Sequence, residues 1–309
     1  MNILLTAIGK RVQLIQHLKQ NFSVVGVDPS REIAARQFAD YFETVPKYNE
    51  AGYITRLLEI SEKYHVSMII PLYEKEFDIL NEYRDLFENK GIKLLLSSGE
   101  VIGICNNKKN TALFFKKNGI LSPKIYDLQN KQEIIYPVII KPWDGMGSHN
   151  VFKAKNEKEL DFFAEYVPNA MVQQCVEGKE YTVDVLCDFY GNIISIVPRQ
   201  RLEVRAGEVV KSRVTKQPDI IEKVRFLIER LKKEGNVMGP VTVQCFVTEQ
   251  DEIFFIEINP RFGGGVPLTM EAGVNYGMYF KRMLLGDKIS YFDDYKELTM
   301  IRYDQAVYV

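Results

Sequence analysis

The feature that most constrains the fold of this chain is a pair of apolar segments, 241–247 and 255–259, joined by a short polar stretch. Two such segments around a short turn predict a β-hairpin. Glu257 and Asn259 stand two residues apart, and side chains at that spacing leave the same face of a strand. If the strands pair across the turn, Gln244 lies on the same wall. All three side chains carry oxygen atoms, which are the ligands that Mg²⁺ prefers.

The residues directly after the second strand add a cation and a flexible backbone. Arg261 is a permanent cation, and the glycines at 263–265 let a backbone approach a ligand closely. For Glu257 and Asn259 alone, an ordinary hairpin with polar residues facing solvent is an equally good interpretation. Their combination with Gln244, Arg261 and the glycines favours a site for a metal ion and phosphate.

These residues resemble the pattern of the ATP-grasp superfamily, and within it the relatives of the carbamoyl-phosphate synthetase large subunit and the carboxylate–amine ligases. In that family a Gln or Asp on one strand, then Glu-x-Asn-x-Arg on the next, holds two Mg²⁺ ions and the phosphates of the nucleotide. Gln244, Glu257, Asn259 and Arg261 match this pattern residue by residue. The resemblance therefore implies ATP and two Mg²⁺ ions as cofactors, with Mn²⁺ able to substitute. It makes Gln244, Glu257 and Asn259 the predicted metal ligands and Arg261 a predicted catalytic residue.

The first hundred residues alternate short apolar segments with segments of helical periodicity. Strands are predicted at 2–7, 23–28, 41–45, 67–72 and 93–96, and helices at 12–19, 53–64 and 75–89. This alternation predicts a parallel sheet covered on both faces, with ligands at the carboxyl ends of its strands. Those ends carry Gly9-Lys10-Arg11, Asp28 and Glu74. The G-x-G-x-x-G fingerprint is absent, so a nicotinamide cofactor is not predicted. Glu74 is either a carboxylate favoured at a helix start or a contact to the substrate.

A strand predicted at 136–142 is apolar except for Lys141 near its end. A buried lysine costs several kcal/mol to desolvate unless an anion faces it, and a phosphate would serve. The loop that follows contains Gly145, Gly147 and Ser148, which can offer N–H and hydroxyl groups to phosphates. It resembles the mobile glycine-rich loop of the family, which is usually richer in small residues.

The resemblance also implies the remaining contacts to the nucleotide. Lys108, just before a helix, would reach the phosphates. Gln174 would face the amino group of adenine, Val176 would offer a backbone contact, and Glu180 would bind the ribose hydroxyls. The alternatives are a solvated lysine at a helix start for Lys108 and an exposed strand carboxylate for Glu180.

A local excess of positive charge begins at Arg199, where five basic residues and two acids occupy fifteen positions. Arg199 and Arg201 share one strand face, which predicts binding of an anion, either the γ-phosphate or a substrate carboxylate. A solvated charged ribbon is the alternative. Together with Arg261 these are the predicted catalytic residues, and Gly263 and Gly264 are predicted to contact the acid substrate.

The predicted architecture is a Rossmann-like α/β lobe followed by an ATP-grasp fold of two α+β subdomains. The predicted domains are a pre-ATP-grasp domain at 1–106, a small subdomain with the glycine-rich loop at 107–176 and a C-terminal subdomain with the metal site at 177–309. Later helices are predicted at 218–233, 266–272 and 278–285, and a last strand at 300–309.

Composition excludes several other classes of protein. The net charge is −1, so there is no basic excess to predict nucleic acid or an anionic membrane as a partner. No apolar segment reaches the roughly 18 residues that would cross a bilayer. The four cysteines have no CxxC spacing, which predicts free thiols in a reducing compartment and thus a cytoplasmic protein. A homodimer is left open.

The resemblance implies an ATP-dependent ligase whose partners are a small-molecule carboxylate and an amine or thiol. The carboxylate attacks the γ-phosphate, and the nucleophile then captures the acylphosphate, releasing ADP and phosphate. Such a site works by positioning and by stabilising charge. Two rivals remain. Phosphorylation of bicarbonate or carbamate, as in carbamoyl-phosphate synthetase, is disfavoured by a single ATP-grasp unit, and the other rival is a non-catalytic ATP-binding regulatory protein.

Overall fold

The structure is a computed structural model that describes residues 1–145, 147 and 149–309. Its first part is a parallel five-stranded sheet in the order β3-β2-β1-β4-β5. The strands are β1 Asn2–Leu5, β2 Ser23–Asp28, β3 Tyr41–Thr44, β4 Val66–Ile70 and β5 Lys93–Leu94. The helices of this part are α1 Val12–Leu18, α2 Tyr53–Lys63, α3 Phe77–Glu82, α4 Arg84–Glu88 and α5 Gly99–Cys105. The predicted parallel α/β lobe is confirmed.

The segment 75–89, predicted as one helix, is a 3-10 turn at Glu74–Glu76 followed by two short helices. The break falls at Tyr83, whose φ of −99° and ψ of 17° leave the helical region. Arg84 directly after it donates to the carbonyls of Leu96 at 2.8 Å and Ser97 at 2.9 Å. These bonds tie the start of α4 to the segment after β5.

A second, antiparallel sheet has the order β6-β9-β7-β8. Its strands are β6 Ile125–Tyr126, β7 Val138–Pro142, β8 Phe152–Ala154 and β9 Ala170–Gln174, and its helices are α6 Lys108–Lys117 and α7 Glu157–Tyr166. The side chain of Asn107 caps α6 by accepting from the backbone N–H of Lys109 at 2.9 Å. The sheet has a core of its own, which includes Val138, Ile140 and Leu160.

The third sheet is antiparallel and has the order β14-β13-β10-β11-β12-β15. Its strands are β10 Lys179–Cys187, β11 Ile193–Arg205, β12 Glu208–Val214, β13 Gly239–Val247, β14 Ile253–Asn259 and β15 Thr299–Ile301. Its helices are α8 Pro218–Leu231, α9 Val266–Glu271 and α10 Tyr276–Leu285. The three sheets lie within the three predicted domains, whose boundaries stay a prediction.

The predicted strand at 300–309 is wrong beyond Ile301. β15 is an edge strand that pairs with β12 over three residues. The next residue, Arg302, turns its side chain to the carbonyl of Gly264 at 2.6 Å. Beyond it, Tyr303 and Tyr308 are 80% and 95% exposed, so no packing holds the tail in an extended ladder.

One hydrophobic core crosses between the first and third sheets. Ile3 and Leu14 of the first part pack in the same cluster as Phe262, Tyr276 and Phe280 from the chain after β14. This shared core fixes the carboxyl ends of β1 and β4 beside the end of the β13–β14 hairpin.

Candidate active site

The β13–β14 hairpin brings the predicted metal ligands together. Gln244 and Glu257 are paired in register. The Nε2 of Gln244 donates to Glu257 Oε1 at 2.6 Å, and the Nδ2 of Asn259 donates to the same oxygen at 3.0 Å. A rotation of each terminal amide exchanges its nitrogen and oxygen, so the three side chains can offer three oxygens to one point. This donor set fits Mg²⁺.

The site differs from a carboxylate-rich metal centre. Across residues 1–145, 147 and 149–309, no group of three His, Cys, Asp or Glu side chains could hold a metal ion. Glu257 is the single anion among the three candidate ligands, because Gln244 and Asn259 are neutral amides. The rest of the negative charge around a cation has to come from a ligand such as a nucleotide phosphate, and the metal role of these residues stays a prediction.

Lys141 on β7 is only 7% exposed. Burial lowers the pKa of Lys141 to about 8, while Glu257 acts in the opposite direction and Lys108 lowers it further. Lys108 opens α6, where its backbone N–H donates to the carbonyl of Trp143 at 3.0 Å and its Nζ donates to the carbonyl of Gly145. The two lysines thus lie beside the glycine-rich loop, and Lys141 is close enough to Glu257 of the β13–β14 hairpin to feel its charge. Ser148, the predicted hydroxyl contact in that loop, lies outside the described residues.

The three residues predicted for the nucleoside lie where the second sheet meets the third. The backbone N–H of Gln174 donates to the carbonyl of Lys124 at 2.8 Å, and its side-chain Oε1 accepts from the N–H of Lys124 at 3.2 Å. Val176 is half-buried. Glu180 lies 3.2 Å from Arg201 Nε and its side chain is 29% exposed. Burial raises the pKa of Glu180, Arg201 opposes this, and Glu257 adds to it. Glu180 is therefore not an exposed strand carboxylate, which was the alternative to a ribose contact.

Arg199 is a buried residue, which does not fit a solvated charged ribbon. Its side chain is 1% exposed and forms a two-pronged ion pair with Asp184, with Nε–Oδ2 at 2.7 Å and Nη2–Oδ1 at 2.9 Å. Thr269 donates to the same carboxylate at 2.5 Å. The remaining nitrogen, Nη1, has no hydrogen-bond partner among the described residues. A Cβ added to Gly265 would collide with it, so the glycine leaves room for this guanidinium.

Sequence reasoning missed Asp184, although a signal was present. Asp184 lies in the apolar stretch of β10, and a carboxylate in a buried strand needs a cationic partner. Arg199 faces it from the neighbouring strand β11, where the register pairs Asp184 with Val197. Arg199 is two residues beyond Val197 and so lies on the same face of the sheet as Asp184, where the two charges are in contact.

Arg261 is held by the first part of the molecule. Its Nη2 forms an ion pair with Glu74, which is 8% exposed, and its Nη1 donates to the carbonyl of Phe262 at 3.0 Å. Glu74 is therefore more than a solvated helix-start carboxylate, since it reaches Arg261 just beyond the β13–β14 hairpin. The carbonyl of Gly263 accepts from Arg11 Nη1 at 3.3 Å. A Cβ on Gly264 would meet open space.

A single cavity of about 1170 Å³ joins these groups. Its wall includes every predicted site residue that the structure describes, which are Glu74, Lys108, Lys141, Gly145, Gly147, Gln174, Val176, Glu180, Arg199, Arg201, Gln244, Glu257, Asn259, Arg261, Gly263 and Gly264. Ligand pockets of about 300–1,000 Å³ already enclose drug-sized molecules. The cavity is therefore large enough for a nucleotide and a second small molecule.

Comparison with known families gives the class of protein. Residues 105–265 match the ATP-grasp domain, and residues 3–95 match the PylC-like N-terminal domain. The chain belongs to the ATP-grasp family, which confirms the family predicted from the hairpin pattern. Within the described residues, no helix is long and apolar enough to cross a membrane.

The chain is also similar to a curated protein of known name. It is 25% identical over 225 residues to the carbamoyl phosphate synthase large chain of Pseudothermotoga lettingae, a match that covers 66% of this chain and 20% of that protein. The chain thus spans about a fifth of the length of that relative.

Solved structures show the same fold. The biotin carboxylase domain of Hydrogenobacter thermophilus 2-oxoglutarate carboxylase, in complex with MgADP, ADP and bicarbonate, has a TM-score of 0.75 at 21% identity, covering 94% of this chain and 70% of that one. N5-carboxyaminoimidazole ribonucleotide synthetase with ADP has a TM-score of 0.75 at 18% identity, with 97% and 80% covered. L-Amino acid ligase from Bacillus licheniformis has a TM-score of 0.69 at 17% identity, with 92% and 74% covered.

Proposed function

We propose that this protein is an ATP-dependent ligase that activates a carboxylate as an acylphosphate and joins it to an amine or a thiol. The observation that carries the proposal is the meeting of Lys108, Lys141 and the Glu257 hairpin in one cavity. Lys141 is buried at a cost that Glu257 only partly offsets. The phosphates of a nucleotide are the anions that would satisfy both lysines and, through Mg²⁺, the hairpin.

The metal ions belong to this proposal. Gln244, Glu257 and Asn259 would hold two Mg²⁺ ions, with Glu257 supplying the negative charge and Mn²⁺ able to substitute. When bound, such ions offset the negative charge of the phosphates and of the phosphoryl group in transfer. The described geometry supports the proposal because three oxygen-bearing side chains converge within hydrogen-bonding distance of each other.

The other residues position the reactants. Gln174, Val176 and Glu180 are proposed to hold the adenosine, and Lys108 and Lys141 the phosphates. The acid would lie over Gly263 and Gly264, next to Gly265, against which Arg199 Nη1 packs. Its carboxylate oxygen attacks the γ-phosphorus as the bond to the bridging oxygen of ADP breaks. The nucleophile then attacks the acyl carbon, and phosphate leaves with the electron pair of the C–O bond. Arg201 and Arg261 add positive charge near the transferred group.

The relatives support this assignment. The Hydrogenobacter domain was crystallised with MgADP and bicarbonate, and the Bacillus licheniformis protein is an amino acid ligase.

The Hydrogenobacter domain is a dimer, and we include a homodimer in the proposal. We also propose a cytoplasmic location, where ATP is plentiful and where free cysteines such as Cys105 and Cys187 stay reduced.

The test is ADP release by the purified protein with Mg²⁺ and ATP alone, with bicarbonate, and with pools of amino acids and other small acids. A ligase is expected to release ADP only with its acid and its nucleophile, or faster with both than with either. The Glu257→Gln variant is the control for contaminating ATPase. Stimulation by bicarbonate alone would favour the carbamoyl-phosphate-type reaction. ATP binding without any acid-dependent turnover would make the protein a nucleotide-binding regulator and overturn the proposal.

A further inference from the structure

The positive charges of the cavity wall divide into two groups. Three arginines that line the cavity already have a carboxylate partner, since Arg199 pairs with Asp184, Arg201 with Glu180 and Arg261 with Glu74. Among the described cavity residues that are not exposed, the cations without such an ion pair are Lys108, Lys141 and Arg11. A buried cation without a counter-ion is costly unless a ligand supplies the charge.

The two lysines and the arginine have different neighbours in the cavity wall. Lys108 and Lys141 lie beside the glycine-rich loop, at the proposed phosphate end. Arg11 comes from the loop after β1 and contacts the carbonyl of Gly263 at 3.3 Å. Burial lowers the pKa of Arg11 to about 10, Arg261 and Arg302 lower it further, and Glu208 and Glu74 only partly offset these effects. An additional anion beside Arg11 would relieve them.

The glycine segment 263–265 connects Arg11 to the second free donor of this region. Arg11 Nη1 contacts the carbonyl at one end of the segment. Arg199 Nη1, which is buried and has no hydrogen-bond partner in the described part of the chain, lies against the other end at Gly265. Both arginines line the cavity, with Arg199 Nη1 packed beneath Gly265, so a molecule lying over the segment would lie near two guanidinium groups. One belongs to the third sheet and the other to the first part of the molecule.

We infer that the acid substrate carries two anionic groups, a carboxylate that is activated beside Arg199 and a second carboxylate or phosphate that is held by Arg11. The inference rests on the proposed ligase function and names the class of its acid. Arg11 is then a specificity residue, because it contacts a part of the substrate that takes no part in the reaction. The same side chain could act only as a structural pin for Gly263, and the test separates the two roles.

The test uses pairs of acids that differ in one anionic group, and the three carboxylate–amide pairs also match in size. The pairs are L-aspartate with L-asparagine, L-glutamate with L-glutamine, succinate with succinamate, and 3-phosphoglycerate with glycerate. Each is assayed for ADP release at saturating ATP, Mg²⁺ and a fixed amine mixture. Each is also assayed for its effect on the melting temperature of the protein with MgADP, which does not require turnover. The last pair separates phosphate from carboxylate as the second group.

Three proteins are compared. Arg11→Gln loses the charge and, being shorter, also the contact with the carbonyl of Gly263. Loss of a structural pin would affect both members of each acid pair alike, so the preference between them reports the charge. Lys10→Gln is the matched control, because Lys10 is the neighbouring residue and its side chain is 78% exposed. Wild type and Lys10→Gln are expected to prefer the acid with two anionic groups over its partner by at least about tenfold in KM, the effect of one charge-assisted contact. Arg11→Gln is expected to lose this preference while its KM for ATP stays unchanged.

The outcomes separate this inference from the proposed function. If acids stimulate ADP release but the members of each pair act alike, the ligase stands and the second anion site falls. If the acids with two anionic groups raise the melting temperature through Arg11 without stimulating ADP release, the anion site stands and the ligase falls. A preference that survives in Arg11→Gln, or a panel in which no acid with two anionic groups binds better than its partner, overturns the inference.

Discussion

The affinity of this protein for ATP is expected to fall as the pH rises through 8, because Lys141 loses its proton there. Burial, with a smaller contribution from Lys108 and against the effect of Glu257, lowers the pKa of Lys141 to about 8. The charged form attracts phosphate and the neutral form does not. A bound nucleotide would in turn raise the pKa of Lys141, so binding takes up a proton at pH values between the free and the bound pKa.

The size of the effect follows from the charged fraction. With a pKa of about 8, roughly nine tenths of the free protein carries the charge at pH 7 and roughly one tenth at pH 9. The apparent dissociation constant scales with the inverse of the fraction that can bind. It is therefore expected to rise about tenfold between pH 7 and pH 9, with close to one proton taken up per ATP at pH 9.

Titration calorimetry of MgATP binding, in two buffers of different ionisation enthalpy at each pH, measures both quantities. Lys141→Arg keeps a permanent charge and is expected to remove the pH dependence. Lys141→Ala is expected to bind roughly ten- to 150-fold more weakly at pH 7, the loss of about 1.5–3 kcal/mol, and also without pH dependence. Lys116→Ala, at an exposed position of α6, is the matched control and is expected to behave as wild type. An affinity that is flat from pH 7 to 9 in the wild type, or unchanged in Lys141→Ala, refutes the assignment.

Three further substitutions test the rest of the site. Glu257→Gln is expected to lower turnover by orders of magnitude and ATP affinity by less, because only the metal-binding charge is lost; steady-state rates and calorimetry check this, and near wild-type turnover in a folded variant would remove the metal role. Glu74→Gln takes the carboxylate partner from Arg261 and is expected to raise the KM for the acid but not for ATP, whereas two unchanged constants would leave Glu74 a structural residue. Asp184→Asn leaves the charge of Arg199 buried and is expected to cost about 3–5 kcal/mol in urea denaturation; a loss below about 1 kcal/mol would contradict the pairing.

Local sequence was sufficient to predict the metal hairpin and the buried lysine. Gln244 and Glu257 are 13 residues apart, and a short turn between two apolar strands leaves few registers that keep both strands buried on one face. Lys141 was recognisable because its strand is otherwise apolar. Both inferences needed only residues that are close in the chain.

The contacts between different sheets could not be predicted from local sequence. Arg11 and Gly263 are 252 residues apart, and the ion pair of Glu74 with Arg261 also joins residues far apart in the sequence. Nothing in the local pattern around either residue names its partner, because such pairs depend on how the sheets pack. The strand predicted at the end of the chain failed for a related reason, since an apolar pattern there found no second strand to pair with beyond Ile301.

The shared core has a consequence for the making of chimeras with other family members. Ile3 and Leu14 pack in one cluster with Phe262, Tyr276 and Phe280, so a foreign first lobe would have to match these aromatic side chains. The sheet from β6 to β9 carries its own core and makes fewer such demands. Crossovers that exchange this sheet are therefore expected to give folded proteins more often than crossovers between the first lobe and α10.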